Sequence, residues 1–454
     1  MATAIDRFTN EMSEALMEIP VSPIPSGTIV FEQPPAPLDD RAPEWFARAK
    51  AAAWSEFQSL PMPTRKDESW RFANLKQHDF SSFVSADALD EDDTDALVER
   101  SSELKEVSAR VIFANDRIVR AEAVDPVVVC LPISDALAEY GSVIEQYFMK
   151  GQGELGGSKF AALHAARTCS GVFVYIPKGV EIAKPVEVFH WISGANASVF
   201  PHTLIVTEDN ASVSVIEHFQ SANDSEACLA IGAVELVAGP GSRIKYVASQ
   251  RWGSQVKAVH LANTDVDRDA SATACLAQLG AAWCRSESVS HLRGLGANSG
   301  MISVSVTDEK QEIDQRTLQH HEEAGTTSDL LYKNALHGQS CSIFAGLIQV
   351  DENAHQTDAY QTCRNLLLSD EVEANSMPGL EINADGVKCS HGSTSSQISE
   401  DEIFYFLARG IDPDTARRLI AIGFTHEPLE RLKDKALEDL LAGHIEARFG
   451  AIQV

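Results

Sequence analysis

The 454-residue chain has eight cysteines but no Cys-x-x-Cys pair, which excludes a zinc ribbon or a thioredoxin-like centre. It lacks a Gly-x-x-x-x-Gly-Lys-Ser/Thr run, so there is no phosphate-binding loop of that kind. No Gly-x-Ser-x-Gly elbow and no nucleophilic triad can be read from it. Apolar runs approaching about 18 residues are absent, which excludes a membrane-spanning helix. The first residues carry Asp6, Glu11, Glu14 and Glu18. They are too acidic for a transit peptide and contain no secretory apolar stretch, so a cytoplasmic location is expected. Basic residues are scarce: 37 Lys and Arg face 66 Asp and Glu, for a net charge of −29. Such a surface repels phosphate backbones and anionic lipid, and argues against nucleic-acid and membrane partners.

An apolar fraction of 44% is that of an ordinary folded protein, and the length implies two or three domains. Scattered cysteines in a reducing compartment are expected as free thiols, most of them small buried hydrophobes. Residues 1–165 read as mainly helical. Within them, 22–38 is an extended linker holding Pro23, Pro25, Pro34, Pro35 and Pro37. Trp45, Phe46, Ala49, Ala53, Trp54 and Phe57 recur at helical spacing, which predicts an amphipathic helix ended by Pro61. The acidic run Asp90–Asp95 reads as a solvated turn. Val111–Val119 reads as a hairpin around Asn115-Asp116.

From about Gly171 the texture changes to short strands such as Val172–Ile176 and Val186–Ile192. Small triplets recur between them: Asn196-Ala197-Ser198, Asn210-Ala211-Ser212, Pro240-Gly241-Ser242, Asp269-Ala270-Ser271 and Asn353-Ala354-His355. Their middle residues are 14, 30, 29 and 84 apart, the first three near multiples of one short unit. A β-solenoid needs such corners, because each coil turns tightly and stacks on the next. A β-sandwich gives similar strand lengths, so periodicity alone leaves both open. The strand region is assigned to 166–396 and a second helical domain to 397–454. In the latter, Ser399 and Glu402 form a capping box, with Ile403, Phe404, Phe406 and Leu407 as a buried stripe. Gly410 stops that helix, Pro413 starts another, and a last helix covers Pro428–Arg448.

Two clusters carry metal-ligand chemistry. In a strand, Cys389 and His391 leave one face together, and thiolate and imidazole both suit iron or zinc. They supply two ligands where a closed site takes four, so the remainder must come from elsewhere. The run His320-His321-Glu322-Glu323 is a weaker candidate, since neighbours on a strand face opposite ways. His320 with His337 and His355, brought together by coil stacking, is the set it suggests. A solvated turn is the simpler reading of that run.

The run Lys388-Cys389-Ser390-His391-Gly392, followed by the acidic helix start at Ser399 and by Arg409-Gly410-Ile411, resembles the SufB/SufD family of the SUF iron–sulfur cluster assembly scaffold. So do Phe344–Val350, Thr357–Gln361 and Arg364–Ser369, and more faintly Glu68–Leu75. Ser390-His391-Gly392-Ser393 stands where the SufB branch typically carries Glu-His-Glu-Ala, which favours the SufD branch. The strong resemblance spans the last quarter of the chain. It implies a mainly β protein, with a right-handed parallel β-helix core flanked by N-terminal and C-terminal helical domains. It further implies a non-catalytic scaffold subunit that pairs with SufB and binds the ATPase SufC, where the ATP hydrolysis resides. Cys389 and His391 would lie at the interface with SufB, holding a transient iron–sulfur cluster and no tightly bound cofactor. Ile403, Phe404, Tyr405, Phe406, Arg409 and Phe424 would form the SufC docking surface. The alternatives are a β-helix enzyme acting on polysaccharide and a homodimeric metal-binding protein.

Overall fold

The computed structural model describes Ile29, Phe31 and residues 42–452, so the proline-rich linker lies outside the described residues apart from those two positions. From Ser170 to Gln397 the chain is a parallel β-solenoid of about 8 turns, which decides between the two strand architectures left open above. Successive strands alternate between two sheets, and each pairs with the strand after next. Register is continuous along the stack: Lys257 lies opposite Trp283, which lies opposite Glu312, then Cys341, then Glu373. One coil is therefore roughly thirty residues, within the usual range for solenoid repeats. Early strands such as Val186–Ile192 and Pro201–Thr207 are buried on both faces, as parallel strands between covering layers are.

Corners make the coiling possible. Along one edge, left-handed residues recur at Gly179, Asn210, Gly241, Asp269, Gly296, Gly325 and Gln356. Positive φ there favours glycine, asparagine and aspartate. Each corner bonds to the next: the N–H of Asn210 donates to Pro240 O at 2.9 Å, Gly241 to Arg268 O at 2.9 Å, and Asp269 to Leu295 O at 3.0 Å. After Gly179 comes half-buried Val180; the residue after each of the other six turns faces inward and is buried, which restricts it to Ala211, Ser242, Ala270, Ala297, Thr326 and Thr357. Three of the five sequence triplets sit on this ladder. Asn196 turns a different corner, and at 353–355 the left-handed residue is Gln356.

The N-terminal region covers the first sheet. Helix Glu44–Ser59 buries Phe46, Lys50, Ala53 and Phe57. Burial pushes the Lys50 ammonium down to about 8, and its Nζ donates to Thr168 O. The Asn115-Asp116 hairpin forms with both residues at positive φ, and its first strand extends the second sheet by pairing in parallel with Val186–Trp191. The acidic run is not a turn but the start of helix Glu91–Glu99. Asp90 caps it by accepting from Asp93 N–H at 2.9 Å, and Glu91, Asp92 and Asp93 lie at the positive end of its dipole.

The C-terminal helices lie along the flank of the second sheet. The Ser399–Glu402 capping box forms, and Asp412 caps helix Pro413–His426. The last helix is shorter than its pattern suggested. A 3₁₀ turn over Leu429–Leu432 ends at Lys433 (φ 49°), and Asp434 then caps helix Lys435–Ala451. Leu437, Leu441, Ile445 and Phe449 pack against Ile302, Val304 and Val306 of the sheet.

A polar network fastens this helix. His444 Nε2 lies 2.5 Å from Glu103 Oε2, and its Nδ1 lies 2.9 Å from Ser249 Oγ. Arg251 also binds Glu103, and buried His218 stands between Glu103 and Glu187 at 3.5 and 3.4 Å. Burial alone would raise the Glu103 carboxyl, but the His444 hydrogen bond and the charges of His218 and Arg251 outweigh it and hold it well below the usual carboxylate range. Burial pushes His444 down. Both folded pKa values are lower than the unfolded ones, so both contributions are complete above the unfolded pKa and disappear on acidification. The melting temperature should therefore fall as pH drops below about 6.5, and again below about 4.3, the unfolded His and Glu values. In thermal melts across pH 7 to 4, Glu103→Gln should flatten the lower step. A Glu103→Gln profile parallel to the parent's would contradict this role.

Candidate functional site at the open end of the solenoid

The last two strands, Glu373–Ile382 and Lys388–Gln397, each pair on one side only. They form the final coil, and no further layer covers it among the described residues. The column on which Cys389 and His391 stand can be traced through the preceding strand. Ala359, Gln361, Cys363 and Asn365 are buried there, alternating with more exposed Asp358, Tyr360, Thr362 and Arg364. Register sets Cys389 over Ala359, His391 over Gln361, Ser393 over Cys363 and Ser395 over Asn365. Cys389 and His391 thus occupy inward positions of the coil. Even so, Cys389 is only half-buried and His391 is exposed.

Main-chain geometry points the same way. Lys388 N–H donates to Thr357 O at 2.8 Å. Alternation along a parallel strand then turns the N–H and C=O of Cys389, His391, Ser393 and Ser395 toward the free edge. On the companion strand, Glu373 N–H donates to Ser340 O and Asn383 N–H to Val350 O, so Pro378 has its missing donor on the outer edge. Proline is confined to such edges, where it limits indiscriminate strand addition.

Beneath the open coil the interior is polar. Asn334 Nδ2 donates to Asn365 Oδ1 at 2.9 Å, and Asn365 Nδ2 to Ser395 Oγ at 3.1 Å. Gln361, fully buried, donates to Gly346 O at 3.3 Å, and its Oε1 has no partner among the described residues. A Cβ on Gly346 would lie 2.5 Å from that Oε1, which explains a glycine in the Phe344-Ala345-Gly346 run. Burial raises the Cys389 thiol, as does Asp358, so it is a thiol until a cation draws off its proton. Cys363 is fully buried and pushed up to about 12, the behaviour of a core residue. Of the other cysteines, Cys130, Cys228, Cys275 and Cys284 are buried, Cys341 is half-buried and Cys169 is exposed.

Next to this end, helix Glu400–Leu407 divides its apolar residues between two sides. Ile403 is buried, whereas Phe404 (68%), Tyr405 (54%) and Leu407 (43%) are exposed. Only Ile403 of the expected buried stripe is fully inside. Phe406 is half-buried, and the Arg409 guanidinium lies 3.5 Å from the Tyr405 ring centroid. Phe424 packs inward beneath Lys333, 4.4 Å from its ring. The six residues that the resemblance grouped together are therefore an exposed set of Phe404, Tyr405 and Arg409, a half-buried Phe406, and two inward residues.

The histidine set 320, 337 and 355 is not one cluster. His337 pairs with Asp308 at 2.7 Å on the opposite edge, and His355 lies 3.3 Å from Asp385 O. His321 is buried against Thr326 and Ser328. His320 instead meets His291 of the preceding coil. Sequence reasoning missed this pair, although His291 and His320 stand at the same offset before the corner glycines Gly296 and Gly325. The sequence reading also found no Gly-x-Gly-x-x-Gly run, yet residues 151–156 are one. Gly151-Gln152-Gly153-Glu154-Leu155-Gly156 has dinucleotide-fingerprint spacing but follows a helix rather than a strand, and the Leu155 and Gly156 carbonyls accept from Arg285 and Trp70.

Residues 190–424 match the family described as "SUF system FeS cluster assembly, SufBD core domain", and residues 28–188 match "SufBD protein N-terminal region". The chain belongs to the SufBD family. Its relatives include the iron–sulfur cluster assembly protein SufD of Bacillus subtilis, 27% identical, with 89% of this chain and 94% of that protein aligned. SufD of Escherichia coli is 29% identical over 85% of this chain and 89% of its own length. The chloroplastic SufBD family protein ABCI8 of Arabidopsis thaliana is 26% identical over 87% and 75%. SufBD membership places the chain in iron–sulfur cluster assembly. No helix among the described residues is long and apolar enough to cross a membrane.

Proposed function

We propose that this chain is a non-catalytic scaffold subunit that completes its solenoid with a second chain of the same family, SufB, and holds a nascent iron–sulfur cluster between them. One observation carries this reading: Cys389 and His391 occupy inward positions of a coil that nothing covers among the described residues. Side chains built into a core column belong under another layer, and a second solenoid end is the layer of matching shape and hydrogen bonding. Thiol and imidazole are ligands for iron, and a site divided between two chains can open to release its cargo. The cluster is cargo here, not a resident cofactor. Size and iron content of the complex, purified anaerobically with and without SufB and SufC, test this reading. A homodimer that excludes SufB would contradict it.

The exposed face of helix Glu400–Leu407 supports docking of the ATPase SufC, whose hydrolysis would drive opening of the joint. Phe404 and Tyr405 are aromatic anchors of the kind that dominate interfaces. Phe404→Ala with Tyr405→Ala should weaken SufC binding by at least about tenfold, the effect of losing roughly 1.4 kcal/mol. Both side chains are exposed, so stability should change by less than about 0.5 kcal/mol. Calorimetric titration with SufC reads the first quantity and chemical denaturation the second; undiminished binding would remove the docking role.

A further inference from the structure

Two coils in from the open end, on the outer side of the first sheet, three ligand atoms converge that the scaffold reading does not use. His291 and His320 are register partners on neighbouring strands. Their rings meet edge to face, with centroids 5.4 Å apart and planes at 62°. This turns the two Nδ1 atoms toward each other at 3.3 Å. Glu322, just past the end of the second strand, places Oε1 3.0 Å from His291 Nδ1 and 3.5 Å from His320 Nδ1.

The far nitrogens are held as well. His320 Nε2 lies 3.1 Å from Asp351 Oδ1, with the Gln349 amide 3.2 Å from the same nitrogen. His291 Nε2 lies 3.6 Å from Glu154 Oε1. Carboxylates on both Nε2 atoms favour protons there. With protons there, the two Nδ1 lone pairs would face each other and an anionic oxygen. A proton on His291 Nδ1 would serve its contacts with Glu322 and His320 but leave the 3.5 Å contact between His320 Nδ1 and Glu322 without one. A cation in front of the triad satisfies all of them.

The spacing suits a metal ion. Ligand atoms about 2.1 Å from a cation are roughly 3.0 Å apart at a right angle and about 3.4 Å apart at the tetrahedral angle. The measured separations of 3.0, 3.3 and 3.5 Å span those values. Two imidazoles and one carboxylate are the donors of non-haem Fe(II) and of Zn(II) sites, whereas Ca(II) and Mg(II) take oxygen alone. A carboxylate behind each imidazole is the arrangement that orients histidine ligands. Nearby charge is mostly negative: Glu322, Asp351, Glu154 and Asp265 stand against Arg293, which binds Asp265 at 3.0 Å and lies 3.6 Å from Glu322. Side-chain exposures of 30% for Glu322 and 42% for Asp351 leave a path for entry.

We propose that His291, His320 and Glu322 bind one divalent first-row transition ion, Fe(II) or Zn(II), with Asp351 and Glu154 orienting the imidazoles and water filling the remaining positions. The site is separate from Cys389 and His391 and does not depend on the joint with SufB.

The test is calorimetric titration of the full-length chain with Zn(II), and with Fe(II) under anaerobic conditions. One equivalent should bind. His320→Ala or Glu322→Gln should lower affinity at least about 100-fold, and Asp351→Asn about 10- to 100-fold, as loss of an orienting partner does. Glu322 and Asp351 are partly exposed, so these variants should keep the parent's melting temperature without metal. Cys389→Ser combined with His391→Ala should retain the equivalent, which separates this site from the scaffold reading. X-ray absorption of the bound metal should show nitrogen and oxygen neighbours with imidazole scattering. Absence of binding, unchanged affinity in Glu322→Gln and His320→Ala, or sulfur in the coordination shell would overturn the proposal; stronger binding of one metal assigns the ion.

Discussion

His391→Ala is expected to lower iron–sulfur cluster output at least about tenfold in a strain that depends on this pathway, while leaving the fold unaltered. The imidazole is exposed, and no side-chain hydrogen bond among the described residues holds it, so its removal opens no cavity. Stability changes at such positions stay within about 0.5 kcal/mol. Loss of one ligand from a cluster site is a far larger effect, because the remaining donors must accept an incomplete coordination shell. Cys389→Ser should be milder in output if the thiol supports the joint rather than ligating, and comparable if it ligates. Far-UV circular dichroism and melting temperature check the fold, and activity of a cluster-dependent reporter enzyme checks output. Normal output from His391→Ala would remove the imidazole from the mechanism.

Arg285→Ala should be the most damaging single change to stability, at about 3–5 kcal/mol, the usual cost of breaking a buried ion pair from one side. Arg285 is fully buried. Its Nε donates to Glu287 Oε1 at 2.7 Å and its Nη1 to Asp314 Oδ2 at 2.5 Å. It also donates to the Ser69 carbonyl at 3.2 Å and the Leu155 carbonyl at 2.8 Å, and its guanidinium lies 3.7 Å from the Trp70 ring centroid. Trp70 in turn packs on Phe160 and Trp283. One cation therefore ties carboxylates of two neighbouring coils to the Glu68-Ser69-Trp70 segment and the Leu155 carbonyl. Removing it leaves Glu287 and part of Asp314 charged and unpaired in the interior; Arg316 still holds Asp314 at 2.6 Å. Denaturation midpoints of the variant and parent decide the matter, and a difference below about 1 kcal/mol would mean that water or Arg316 compensates.

The strand region and its corners were legible because their causes are local. A positive-φ corner demands Asn, Asp or Gly followed by a small inward residue, and that demand shows in the sequence at Asn210, Gly241 and Asp269. The shared face of Cys389 and His391 was legible for the same reason, since alternation on a strand needs no knowledge of its neighbours. That the strand is the last of its stack followed from the end of the strand region at 396. That this face is the inward one was not legible, because it depends on the register with Ala359 and Gln361. The stripe at Ile403, Phe404, Phe406 and Leu407 misled because helical spacing records an apolar face, not whether something covers it. Asp90–Asp95 misled through its charge: a run of acids reads as solvated coil unless the cap at Asp90 is weighed against it. His291 and His320 were separated by a whole coil, so only the register brought them together. The glycines at 151, 153 and 156 owe their presence to close approach by Asn263, by Ala161 with Gly157–Ser158, and by Ser69–Trp70 respectively, not to a phosphate.

Hydrogen exchange along strand Lys388–Gln397 tests the central idea most directly. In the isolated chain the amides of Cys389, His391, Ser393 and Ser395 point to a free edge and should exchange rapidly. On addition of SufB they should become protected at least about tenfold, while the amides of Lys388 and Ser390, already turned toward the preceding strand, change little. If the outward amides exchange in the assembled complex as fast as they do alone, the final coil is not a joint, and the scaffold account built on it is wrong.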